Sequence, residues 1–254
     1  MKKIVGVFLT IVMCICMSGT SLQAATVYSS KDAENFLKEK GIIDEETVQA
    51  SFEVVNGEYA IQSCRQLENN QYESAITMAY YEAGGQLVRA DIRPMSDKTN
   101  NFQHNGIYIT ARLSYSKYTR SYNGAPYYIA YVSPYALTIT ITGPSDLTIS
   151  YMNARLEATA ASYPFPDCLD FSADTNTTAY IIDQDGYDME FSKTNLVPGL
   201  AYGATQFMPN NKILGFSNYA ANEYIGALVQ LNTNKGDISR AEIEFGYLLE
   251  LPGT

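Results

Sequence analysis

Runs of alternating apolar and polar residues recur along most of this chain. Apolar residues occupy every second position over residues 48–54, 107–115, 137–142 and 243–247. Successive side chains of a β-strand point to opposite faces, so this period predicts strands with one face in a core. Turn-forming Gly, Pro and Asn residues separate the runs. The sequence therefore predicts a mainly β protein, built as an antiparallel β-sandwich or barrel.

A small helix-plus-β-hairpins module is predicted at residues 25–97, before the sandwich domain at residues 98–254. Residues 29–32 fit a helix capping box, and apolar residues 33, 36 and 37 share one helical face. Asn56-Gly57 and Gly84-Gly85 are typical of tight hairpin turns. The polar stretch that follows, up to Gly106, predicts the linker between module and sandwich.

Residues 1–24 have the pattern of a secretory signal peptide. Lys2 and Lys3 precede an apolar run over residues 4–17, and small residues lead to Ala24, after which we expect cleavage. The run falls short of the ~20 residues that a membrane-spanning helix needs, and we expect no transmembrane segment after cleavage. The short Lys-Lys signal is typical of a bacterium. The sequence thus predicts a secreted, extracellular bacterial protein.

The chain is acidic, with a formal net charge of −10, and loss of Lys2 and Lys3 takes this to −12. Such a charge disfavours nucleic acid as a partner. Two cysteines follow the signal, and an even pair in an exported protein favours a disulfide between Cys64 and Cys168. Two separate thiols are the alternative.

Motifs of enzymatic catalysis are scarce in this sequence. His104 is the sole histidine, and there is no Gly-x-Ser-x-Gly, no Cys-x-x-Cys and no phosphate-binding glycine loop. A dyad of Cys64 with His104 has no supporting local motif. We therefore expect a protein that is not an enzyme. The alternative is a secreted hydrolase that acts on a polysaccharide or cell-wall polymer through a carboxylate pair in a concave cleft.

Asp185-Gly186 suits a two-residue turn between strands at residues 179–184 and 187–192. The resulting register places Asp183 opposite Asp188 on a polar face, where the two carboxylates repel. Water and salt can compensate for this repulsion. The alternative is a calcium ion (Ca2+) held by Asp183, Asp185 and Asp188, since calcium binds several oxygen ligands.

A tyrosine-rich stretch over residues 108–135 holds eight of the 21 tyrosines and no acidic residue. Alternation places Tyr108 and Arg112 on the solvent face of a strand, with Tyr118 and Tyr122 in the adjoining turn. Aromatic rings beside a guanidinium suit a sugar ring or an acidic polymer. The sequence thus favours an extracellular binding or surface-interaction module for a glycan, a cell-wall polymer or a surface protein. A buried strand face is the alternative.

A β pore-former is the third function class that the sequence leaves open. The Thr-rich stretch over residues 137–151 has the alternating apolar and polar pattern of an amphipathic membrane hairpin. Its strands, expected to have about five to seven residues, fall short of the ~9 to 11 that a spanning strand needs.

Overall fold

A computed structural model describes residue 38 and residues 49–55, 58–68, 70–90, 106–121, 128–164, 179–181, 189–207, 212–217 and 224–245. Thirteen β-strands lie within these residues. In chain order they are β1 (Gln49–Val55), β2 (Glu58–Glu68), β3 (Gln71–Ala83), β4 (Gln86–Ala90), β5 (Ile107–Ser121), β6 (Tyr128–Thr142), β7 (Ile149–Pro164), β8 (Ala179–Ile181), β9 (Glu190–Leu196), β10 (Ala201–Thr205), β11 (Lys212–Ser217), β12 (Tyr224–Thr233) and β13 (Gly236–Glu244). The prediction of a mainly β protein is confirmed.

The thirteen strands form one sheet that curls around an apolar core. From β3 the pairings lead through β5, β6, β11, β7, β12 and β13 to β4, which pairs with β3 again. Every pairing is antiparallel except that of β13 with β4, which consists of the single pair Asp237 and Gln86. Among the described strands, the junction of β4 with β13 is therefore the most weakly paired point of this circuit.

The core lies on the inner, concave side of the sheet and follows directly from the alternating sequence. Ile109, Ala111 and Leu113 of β5 are fully buried, as are Ala227 and Val229 of β12. Full burial of a Val, Leu or Ile side chain stabilises the fold by roughly 1.5–3 kcal/mol. The core contains residues from both sides of the predicted domain boundary, and β3 pairs with β5 across it. That boundary thus falls between strands of one sheet.

The two hairpins predicted near the amino terminus are present. β1 and β2 are antiparallel, with Val55 opposite Glu58 across the Asn56-Gly57 dipeptide. β3 and β4 pair with Ala83 opposite Gln86, and the turn residues Gly84 and Gly85 have φ angles of 63° and 81°. Of the predicted helix only Lys38 is described, so that prediction lies outside the described residues. No helix in the described part of the chain is long and apolar enough to cross a membrane.

Several strands are longer than the sequence led us to expect. β5 and β6 have 15 residues each and β7 has 16. A bulge explains the difference in β6, because Ser114 pairs with Ala136 but Tyr115 pairs with Pro134. The extra residue, Tyr135, breaks the alternation in the sequence without ending the strand. The strand-length argument against a pore-former is therefore wrong.

The strand pairing predicted around Asp185-Gly186 is also wrong for the residues that the structure describes on either side of this dipeptide. Tyr180 of β8 pairs with Ala160 of β7, and Phe191 of β9 pairs with Ala154 of the same strand. Both strands are antiparallel to β7 on one edge, so they run in the same direction and cannot form a hairpin with each other. The main-chain groups of the long β7 edge thus replace the predicted pairing of Tyr180 with Phe191.

Candidate ligand-binding cleft

The outer face of β7, β12 and β13 carries the best-defined group of polar side chains near an open cleft. Along β7 the residues Ala154, Leu156 and Ala158 point into the core, which leaves Arg155 and Glu157 on the outer face. The same alternation on β12 turns Ile225 and Ala227 inward. Antiparallel sheets commonly present one apolar and one polar face in this way.

Gly226 opens a cleft in the middle of this face. It lies opposite Glu157 of β7 on one side and opposite Glu244 of β13 on the other. Since glycine has no side chain, the space between the two carboxylates stays empty. A Cβ atom at this position would lie 3.1 Å from the carbonyl oxygen of Ile243, so the backbones also approach closely here. The cleft has a volume of about 220 Å³.

Glu157 is held by three side chains at the wall of the cleft. The hydroxyl of Tyr224 donates a hydrogen bond to Oε2 at 3.3 Å, and the guanidinium of Arg155 is paired with Oε1. Nη2 of Arg240 lies 4.0 Å from Oε2. The carboxylate is only 12% exposed, whereas 36% of Tyr224 is exposed. A fixed carboxylate therefore stands beside an accessible aromatic ring.

Arg240 reaches this site because of a β-bulge in β13. Val229 pairs with Ala241, and Leu231 pairs with Ile238. One residue of β12, Gln230, therefore lies opposite two residues of β13, Ser239 and Arg240. Bulges redirect side chains, and here both residues of the bulge are exposed. Nε of Arg240 bonds Oε1 of Glu242 at 2.7 Å, yet the Arg240 side chain remains 57% exposed. The guanidinium is thus oriented and still open to a ligand.

A second cleft, of about 540 Å³, lies where β4 and β13 separate beyond the Gln86–Asp237 pair. Its wall on β13 includes Ser239, Arg240 and Glu242. Arg240 and Glu242 also line the cleft at Gly226. The two clefts therefore share one wall.

The tyrosine-rich surface predicted from the sequence differs from the structure. Tyr108 is only 7% exposed, and Thr110 on the same face is 1% exposed. The expectation that these side chains face solvent is wrong, because this face of β5 is covered as well: the hydroxyls of Thr110 and of Thr77 on β3 are both buried and lie 2.8 Å apart. Arg112 donates to Oγ1 of Thr140 at 3.0 Å and lies 3.9 Å from Glu73.

The remaining tyrosines of that predicted surface are not described at side-chain level. Tyr118 lies in β5, but its side chain is outside the described residues, as is the whole of Tyr122. The binding role of the four predicted residues therefore stays a prediction.

The predicted calcium ligands Asp183, Asp185 and Asp188 lie outside the described residues, as does His104. The calcium site therefore stays a prediction. No group of three or more His, Cys, Asp or Glu residues suited to a metal ion occurs among the residues that the structure describes.

Cys64 is buried on the core side of β2 and has no disulfide partner among the described residues. Burial raises the pKa of this thiol, although hydrogen bonds to Ser74 and Tyr115 act in the opposite direction. The hydroxyls of Ser74 and Tyr115 lie 2.9 Å apart. Burial also lowers the pKa of Lys117. A protonated thiol is a poor nucleophile. Cys168 is outside the described residues, so the disulfide stays a prediction.

Sequence reasoning missed the cleft at Gly226, although two signals in the sequence point to it. Charged Arg155 and Glu157 alternate with apolar residues, which marks an exposed sheet face. In β13 the apolar spacing changes from three residues, between Ile238 and Ala241, to two residues, between Ala241 and Ile243, which is typical of a bulge. The pairing of β7 with β12 across sixty or more residues was not readable from the sequence.

The fold and the cleft together define a mainly β protein whose curled sheet carries a small polar and aromatic cleft on its outer face. No protein-family model matches the chain, and no curated protein matches it.

Proposed function

We propose that this protein is an exported bacterial binding module for a neutral extracellular polysaccharide, with the cleft at Gly226 as its sugar site. The observation that carries the proposal is the convergence of Tyr224, Glu157 and Arg240 around a cleft that a glycine leaves open. Pockets of this kind, with an apolar surface and a few oriented polar groups, are typical of small-molecule sites.

The chemistry of these side chains suits a sugar ring. A partly exposed tyrosine ring offers an apolar face on which the C–H groups of a sugar can pack. The carboxylate of Glu157 accepts hydrogen bonds from hydroxyl groups, and the planar guanidinium of Arg240 donates two parallel bonds to neighbouring oxygens. Because Glu157 and Arg240 are already oriented by their partners, little side-chain entropy is lost on binding.

Charge supports a neutral rather than an acidic ligand. The cleft is lined by the three carboxylates Glu157, Glu242 and Glu244 and by the guanidinium of Arg240. The whole chain has a formal net charge of −10. An anionic polymer would be repelled by both the site and the protein. Of the two ligands that the tyrosine-rich stretch suggested, a sugar ring or an acidic polymer, only the sugar suits this cleft.

The proposal also includes secretion of the protein, a barrel architecture and a short helix before the first strand. The signal-peptide pattern of residues 1–24 supports secretion. The circuit of strand pairings, which returns through β13 and β4 to β3, supports a barrel rather than a sandwich. The capping box at residues 29–32 supports a short helix before the first strand.

Titration calorimetry on residues 25–254 tests the proposal. The probes are hexamers of β-1,4-linked glucose and of β-1,4-linked N-acetylglucosamine, with a hexamer of galacturonic acid as the acidic comparison. We expect at least one neutral hexamer to bind and the acidic hexamer not to bind. Tyr224→Ala should weaken the binding about fivefold or more, since loss of a stacking ring costs on the order of 1 kcal/mol or more.

Tyr151→Ala is the matched control. Tyr151 lies on β7, is half-buried, and does not line either cleft. We expect this variant to bind like the wild type. Absence of binding by both neutral hexamers, or equal weakening by the two tyrosine variants, would contradict the proposal.

A hydrolase is the second candidate, because three carboxylates line one cleft. Glycosidases use two carboxyl groups on either side of the scissile bond. Incubation of the same neutral hexamers with the protein, followed by chromatography, separates the two functions. Shorter oligomers that appear with the wild type but not with Glu242→Gln would establish catalysis. We expect the hexamers to remain intact.

A further inference from the structure

The two clefts meet at one pair of outer-face residues. Arg240 and Glu242 line the cleft at Gly226 and also the larger cleft between β4 and β13. Their side chains are bonded to each other at 2.7 Å and are both about half exposed. A ligand in either cleft would therefore contact the same guanidinium and carboxylate.

The combined length of the clefts exceeds that of one sugar ring. The two clefts follow β13 from Asp237 to Glu244. At about 3.3 Å per residue, this stretch of strand spans on the order of 23 Å. A single sugar occupies only a fraction of such a length, whereas an extended oligosaccharide fills it.

The larger cleft also offers groups that suit the continuation of a polysaccharide chain. On β13 it presents the carboxylate of Asp237 and the hydroxyl of Ser239, both exposed. On β4 it presents the exposed amide of Gln86, whereas Arg89, which also lines this cleft, lies on the sheet face of the core residue Leu87. These donors and acceptors match the alternating hydroxyl groups along a sugar chain.

We infer that the two clefts form one continuous site for a linear polysaccharide, in which Arg240 contacts two successive sugar units. The inference rests on the proposed function and adds that the ligand is a polymer segment rather than a single sugar or a chain end. The bulge at Ser239 and Arg240 is the feature that makes this possible. It exposes two successive residues at the point where the clefts meet.

A length series of oligosaccharides tests the inference. The probes are β-1,4-linked glucose and N-acetylglucosamine oligomers of one to six units, titrated into residues 25–254. We expect affinity to rise at least tenfold between the dimer and the hexamer. Monomer and hexamer affinities that agree within a factor of two would overturn the inference and leave the proposed function standing. Absence of binding at every length would overturn both.

A blocking variant gives the second measurement. Ser239→Trp places a large ring in the larger cleft without touching Glu157 or Tyr224. We expect it to reduce hexamer affinity to that of the dimer and to leave dimer affinity unchanged. Ser192→Trp, at an exposed position of β9 outside both clefts, is the matched control and should change neither. Unchanged hexamer binding by Ser239→Trp would overturn the inference.

Discussion

At the scale of single residues, Cys64 shows how position in the sheet decides chemistry. Its thiol is 4% exposed and its pKa is raised by burial. We predict that in a Cys168→Ser variant the thiol resists iodoacetamide at pH 8 in the native protein and reacts at the ordinary rate in urea. The measurement is alkylation followed by mass spectrometry. Rapid native alkylation would mean that the thiol is accessible.

The raised pKa of Cys64 also implies a pH dependence of stability. A thiol that binds its proton more tightly in the folded state stabilises the fold below the unfolded pKa, and this contribution is lost as pH rises through the folded value. We therefore expect the free energy of unfolding of the Cys168→Ser variant to fall above about pH 9, where an unfolded thiol ionises. Urea titrations between pH 7 and 10, with Cys64→Ala in the same background as control, measure this loss. An identical pH profile for both proteins would contradict the assignment.

The sequence predicted burial correctly for residues on the core-facing side of a strand. Ile107, Ile109 and Leu113 were expected in the core and are buried. Tyr108 was expected in solvent and is buried, because alternation distinguishes the two faces of a strand but does not say whether the second face is covered. The residues of the cleft come from three strands, so only the fold brings them together.

At the scale of elements, β8 and β9 follow one edge of β7. Ile181 lies opposite Thr159, and the carbonyl of Met189 accepts a hydrogen bond from the amide of Leu156. A continuous strand would need two residues between Ile181 and Met189 to follow β7, whereas the chain has seven. We predict that replacement of residues 183–188 by a single threonine leaves the melting temperature within about 4 °C of the wild type.

Replacement of the same residues by two threonines is the control for this prediction. The additional residue forces either a bulge or a one-residue slip, and a slip turns Met189 out of the core. Exposure of a buried methionine costs roughly 2–5 kcal/mol, so this variant should melt well below the first. Thermal unfolding followed by circular dichroism compares the two. Equal destabilisation by both replacements would contradict the pairing with β7.

Elements with a strong local signal were predictable, and those fixed by distant pairing were not. Gly84 and Gly85 adopt the positive φ angles that their turn requires, and the β3–β4 hairpin is formed as predicted. Asp185-Gly186 carries an equally strong local signal, yet β8 and β9 pair with β7. The strand partners of residues 179–181 and 190–196 are thus set by the long edge of β7, which local sequence does not reveal.

At the scale of the whole molecule, the circuit of strands depends on the contact between β4 and β13. Gly236 has a φ of 130°, and a Cβ atom there would lie 2.8 Å from the carbonyl carbon of Gln86. We predict that Gly236→Ala costs roughly 2 kcal/mol or more, because both backbone strain and a clash oppose it. The melting temperature should fall by about 4–8 °C.

Gly199→Ala is the control for this prediction. Gly199 also has a positive φ, of 86°, but no atom lies within 4 Å of its added Cβ. Only conformational strain remains, so the expected cost is about 1 kcal/mol. If Gly236→Ala were no more destabilising than Gly199→Ala, the close contact between β13 and β4 would not contribute to the stability of the sheet.

The central claim, that the outer face of β7, β12 and β13 is the ligand site, is tested most directly by hydrogen–deuterium exchange. Residues 25–254 are compared with and without saturating neutral hexamer. We predict slower exchange in peptides that cover residues 224–230 and 236–244, because a bound sugar shields these strands. Exchange over residues 107–121 should not change. Slowing confined to residues 107–121, or no slowing in β12 and β13, would contradict the account.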